Sequence, residues 1–80
     1  MWRSKVKLND GETLKHVSSR SKGPLAEEDI TEYSILNSEG QVVGTVIHKD
    51  HQAIKGSRRT QSVYQTDTSH KVIVEENWTN

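Results

Sequence analysis

Eighty residues, with 11 Lys and Arg set against 11 Asp and Glu, no cysteine and a hydrophobic share of 30%, describe one small domain spanning residues 1–80 with a thin core. A disulfide framework and a cysteine-based zinc site are excluded, and zero formal charge argues against a dedicated nonspecific nucleic-acid binder, which carries excess positive charge. A fold of this length hides only about 60–65% of the surface its unfolded chain exposes, so modest stability is expected, and dimerisation is one way to enlarge the core.

The 17 Leu, Ile and Val residues fall into alternating runs, which favours a folded chain over a disordered one. No stretch approaches the roughly 20 apolar residues of a membrane span, and MWRSKVKLNDG lacks the apolar core of a signal peptide, so a cytoplasmic location without membrane attachment is expected. The glycosylation tripeptide Asn77-Trp78-Thr79 is accordingly read as chance.

Taken in order, Trp2 to Leu8 alternates as a strand, with Trp2, Val6 and Leu8 on one side and Arg3, Lys5 and Lys7 on the other. Three cations on an outer face would discourage edge-to-edge association. Asn9-Asp10-Gly11 marks a tight turn, and Glu12 to Val17 returns as a second strand. From Ser18 to Asp29 the pattern is lost and the charge switches from basic to acidic, which reads as a long connection. Pro24 suits the first position of a short helical turn over residues 24–29, with Glu27, Glu28 and Asp29 near the positive end of its dipole.

Ile30 to Lys49 carries the clearest signal. Tyr33, Ile35 and Leu36 precede a polar link, SEGQ, and Val42, Val43, Val46 and Ile47 follow it, so β-branched and aromatic residues flank a turn of hairpin length. In Asp50 to Gln61, Ala53 and Ile54 are expected to tuck onto the core while Lys55 to Arg59 stay in water. Ser62–Asp67 and Lys71–Asn77 form a second hairpin around Thr68-Ser69-His70, with Val72, Val74 and Trp78 in phase. Trp2 and Trp78 are expected to cap one apolar layer together. Charge runs in blocks: basic through residue 22, acidic to 40, basic again to 59, then mildly acidic.

The chemistry-bearing constellations are sparse. His48 and His51 are three apart and project to opposite sides of a strand, so no metal site is expected. Lys55-Gly56-Ser57-Arg58-Arg59-Thr60 combines small residues with guanidinium groups suited to an anion, but lacks the second glycine and Lys-Ser/Thr pair of a phosphate-binding P-loop. Ser69-His70 sit side by side in a turn where their side chains diverge, and Glu75-Glu76 point to opposite faces, so no hydrolytic set forms. Neither a catalytic role nor a cofactor is expected.

These readings converge on an all-β fold, a small antiparallel sheet or open barrel of four to six strands with one helical turn near residues 24–29. An α+β sheet is the alternative. The function they favour is a noncatalytic protein-interaction module, an inhibitor or adaptor that sets a strand edge and charged patches against a larger protein partner. Ser62–Thr66 and Lys71–Trp78 are the candidate edge strands, and self-pairing into a homodimer would use the same surface. The alternative is a nucleic-acid-binding domain with Arg3, Lys5, Lys7, Lys55, Arg58 and Arg59 on phosphates and Tyr64 or a tryptophan for stacking.

Overall fold

The computed structural model describes residues 2–22, 28–52 and 59–79. They form five strands, β1 (Thr13–Lys22), β2 (Glu28–Leu36), β3 (Val42–Gln52), β4 (Arg59–Asp67) and β5 (Val72–Thr79). Each strand pairs antiparallel with the next, in the spatial order β1-β2-β3-β4-β5, so the sheet is an open meander. The all-β expectation holds, in its open-sheet form. No helix among the described residues is long and apolar enough to cross a membrane.

Two of the three described turns share one design. Asn37 Oδ1 accepts from the amides of Glu39 and Gln41, both at 2.9 Å, and Asp67 Oδ1 accepts from those of Ser69 and Lys71 at 2.8 and 3.0 Å. In each, the main-chain carbonyl of the same residue takes the amide three positions on, and that third residue has positive φ, 82° at Gly40 and 64° at His70. These are three-residue hairpin loops led by an Asx side chain. Gly11 meets the same backbone demand in the Asn9–Glu12 turn, with φ 82°.

Alternation sorts the strands into two faces. One face presents Leu14, Tyr33, Ile35, Val46, Val63, Val74 and Trp78, and its buried centre is Ile35, Val46, Val63 and Val74. Four such side chains stabilise by about 1.5–3 kcal/mol each, which suits the modest core expected. Residues 2–8 lie across this face, with Trp2 and Val6 packed on the cluster. We call it the covered face, and its reverse the open face.

The expected first strand is not one. Trp2–Lys5 form a single 3-10 turn, closed by the Val6 amide on the Arg3 carbonyl at 3.2 Å. Trp2 and Val6 meet the apolar cluster while Leu8 is 42% exposed, and the main chain at Lys7 bonds to a side chain instead of a neighbouring strand. Lys7 donates its amide to Gln65 Oε1 at 2.9 Å, and Gln65 Nε2 donates to the Lys7 carbonyl at 2.8 Å. Gln65 is 2% exposed at the centre of β4, so its amide does for Lys7 what a paired strand would have done.

The long connection expected from Ser18 to Asp29 is also corrected. Ser18–Lys22 continue β1 and Glu28–Ile30 begin β2, with Lys22 opposite Glu28 and Ser21 opposite Asp29. The jump from basic to acidic is the partner relation of two strands, and it has no period because both overhang the core. Glu28 and Asp29 are therefore strand, not the end of a helical turn, and the Pro24–Glu27 part of that expectation lies outside the described residues. So do Ala53 and Ile54.

Bulges fall at Val17, Val43 and Ile73, where register skips one residue. Two of them are on the edge strands, where extra twist discourages unwanted pairing. If the Gln65 bracket fastens the N-terminal segment, Gln65→Leu leaves a part-buried amide and carbonyl unpaired and lowers unfolding free energy by about 1–3 kcal/mol. Urea denaturation followed by tryptophan fluorescence measures this, and Gln65→Leu matching the wild-type midpoint would contradict it.

Candidate interaction site

On the covered face the aromatic side chains form a layer held by stacking. The Trp2 ring lies 4.8 Å from His48 at 14° and 5.1 Å from Tyr33, and His48 stacks on Trp78 at 6.4 Å. The expected joint cap of Trp2 and Trp78 therefore exists, with His48 between them. His48 Nε2 is also 3.0 Å from Gln61 Oε1, a hydrogen bond from β3 to β4.

Of the expected cations, Arg3, Lys5 and, by register, Arg59 lie on the covered face. Arg3 sits over the rings of Trp2 and Tyr33, 5.4 and 5.8 Å from their centroids, and Lys5 sits 5.0 Å over Trp78. Such exposed cation–π contacts are worth about 0.5–1 kcal/mol each. Lys7 borders β5, where it and Lys5 share a shallow groove with Ile73, Val74, Glu75 and Glu76. Arg59 is engaged by Asp50, with Nε 2.9 and 3.0 Å from the two carboxylate oxygens and Nη2 against Oδ2. Tyr64 belongs to the open face, opposite Arg3 and Lys5. Lys55 and Arg58 lie outside the described residues. Tyr64 thus stands apart from these cations, whereas Trp2 and Trp78, the other stacking candidates, lie beneath Arg3 and Lys5.

His48 and His51 also part. His51 is on the open face, 3.8 Å from Glu28, and among the described residues no group of three or more His, Asp or Glu is placed to hold a metal ion.

The strand order decides which edges are exposed. β4 lies between β3 and β5, so Ser62–Thr66 offers no free edge, whereas β5 is outermost. Among the described residues no backbone hydrogen bond joins another segment to its outer side. Val72 and Ile73 are 43% and 40% exposed at one end of β5, and Glu75, Glu76 and Asn77 follow. The other edge, β1, presents Val17 and then Ser18, Ser19, Arg20 and Ser21.

The open face carries two depressions lined only by strand residues. One, of about 400 Å³, lies over Ile47, Lys49, Ser62, Tyr64, Glu75 and Asn77, and the other, of about 170 Å³, over Ser18, Arg20, Ile30, Glu32, Ile47 and Lys49. They share Ile47 and Lys49, so a furrow crosses all five strands. Sequence reasoning missed both this furrow and Gln65. The available signal was phase: Gln61 and Gln65 flank Val63 at two-residue spacing, which puts two amides on the buried side.

No protein-family model matches the chain, and no curated protein or solved structure is significantly similar to it.

The hydrogen bonds from Arg59, with its charge, hold the Asp50 carboxyl below its ordinary value despite partial burial. A carboxyl depressed in the folded state stabilises above its unfolded value and loses that contribution as pH falls through the folded one. Asp50→Asn should therefore melt below wild type at neutral pH, with the gap closing as pH drops below about 4. Thermal melts across pH 2–7 measure this, and a constant gap would count against it.

Proposed function

We propose that the protein is a cytoplasmic, noncatalytic interaction module that captures a strand of a larger protein along β5. The observation that carries this reading is the outer edge of β5, which no other described residue pairs, with exposed Val72 and Ile73 beside it. An added strand would gain main-chain hydrogen bonds there, while alternate side chains supply selectivity. The exposed apolar pair sets one end of the register. Glu75 and Glu76 favour a partner strand with cations towards the other end, because opposite charges across a strand pair stabilise and like charges oppose. β1 is less suited, being lined by serines and Arg20.

Val72→Lys with Ile73→Lys places charge on an exposed edge, the device that blunts such edges in native sheets. Both positions are already solvent-exposed, so the melting temperature should change little. Proteins retained from host lysate by the wild type should be lost by the double variant, and their addition should slow hydrogen exchange at the β5 amides. Equal retention by both, or unaltered β5 exchange, would reject the edge as the docking site.

A further inference from the structure

The open face has a pattern that the edge does not use. Two adjacent rows of directly paired residues cross it. One runs Ser18, Glu32, Ile47, Tyr64, Glu75, and the next runs Arg20, Ile30, Lys49, Ser62, Asn77. The first row contains carboxylates and no cation, the second cations and no carboxylate. We propose that this face packs against the same face of a second copy of the chain, related by a two-fold axis that runs across the strands between the two rows.

That operation places each row over the other row of the partner while keeping like strands in register. Glu32 then meets the partner's Ile30 position, flanked by the partner's Arg20 and the partner's Lys49. The reciprocal contact forms by symmetry, as an isologous interface requires. Ile30 and Ile47 of both copies come together at the centre of the interface. Ile30 is only 7% exposed, yet it lies apart from the main buried cluster, on the opposite side of the sheet. The centre is then isoleucines interleaved with Glu32 and Lys49, each of these charges beside one of opposite sign on the partner, which is electrostatic complementarity that fixes register. Sheets stack in this way at about 10 Å, with strands within about 30° of alignment. The second copy would provide the layer that a single sheet otherwise lacks on this side.

The β5 edge is a poorer place for a second copy. Two-fold antiparallel pairing centred on β5 would set Glu75 against the other copy's Glu75, or Glu76 against its Glu76, which like-charge repulsion disfavours. The face therefore serves self-association and leaves the edge to a different protein.

Sedimentation equilibrium of the wild type, Glu32→Lys and Lys49→Glu tests this. The wild type should show a monomer–dimer equilibrium, and each single reversal should raise the dissociation constant at least tenfold. An equimolar mixture of the two variants should restore dimers. The cation introduced at position 32 of one copy then faces the carboxylate introduced at position 49 of the other, and the unaltered Lys49 of the first faces the unaltered Glu32 of the second. No intramolecular pairing produces that rescue. Ile73→Lys should leave the wild-type equilibrium unchanged, which separates this surface from the edge. A monomeric wild type at millimolar concentration, dimeric single variants, or a mixture of folded variants that stays monomeric would each overturn the proposal. Should either variant not fold, isotope-filtered NOEs in a mixture of labelled and unlabelled wild type give the same decision. Contacts between Ile47 methyls and Ile30 methyls of separate copies are expected, and their absence in a dimer would refute this face.

Discussion

A glutamine decides which side of this sheet is the inside. With four aliphatic side chains at its buried centre, the covered face is too small to hold a terminal segment by burial alone. The amide of Gln65 adds direction, giving one donor and one acceptor to the main chain of Lys7. From that bracket the segment runs back so that Val6 meets the core and Trp2 meets His48 and Tyr33. A buried amide is costly unless both ends are satisfied, and here they are. The same requirement couples β4 to the N-terminal segment across 58 positions of sequence.

Once the segment is committed to one face, the other is left to its own side chains. It keeps Ile30 buried among Arg20, Glu32 and Lys49, whose aliphatic stems cover apolar surface while their charges reach water. The charge blocks of the sequence thereby acquire a spatial meaning. Basic β1 lies beside acidic β2, and Asp50 of β3 takes Arg59 of β4. Much of the charge is offset within the sheet; a mixed pattern stands on the open face, Glu75 and Glu76 follow along β5, and Arg3 and Lys5 lie over the aromatic rings of the covered face.

The hairpins were legible because their turns are local. Asn37 and Gly40, and Asp67 with His70, are short-range chemistry that the chain carries on its surface. Trp2–Leu8 misled because alternation of residue types does not fix what the backbone bonds to, which here is a side chain 58 residues away. Ser18–Lys22 was illegible for the reverse reason. A strand overhanging the core has no buried side to impose a period, and only its pairing with Glu28–Glu32 makes it a strand. The candidate cations were visible as residues, but Arg3 and Lys5 take their places from the path of the N-terminal segment over the aromatic rings, and Arg59 from its contact with Asp50, neither of which a local pattern reports.

Amide hydrogen exchange at Lys7 tests the Gln65 bracket most directly. A segment fastened by that side chain shows Lys7 protected to a degree comparable with the β4 amides, while Asp10 in the adjoining turn exchanges faster. Lys7 exchanging at the rate of an unstructured peptide, beside protected β4 amides, would mean that the segment is not held and that both faces of the sheet are open.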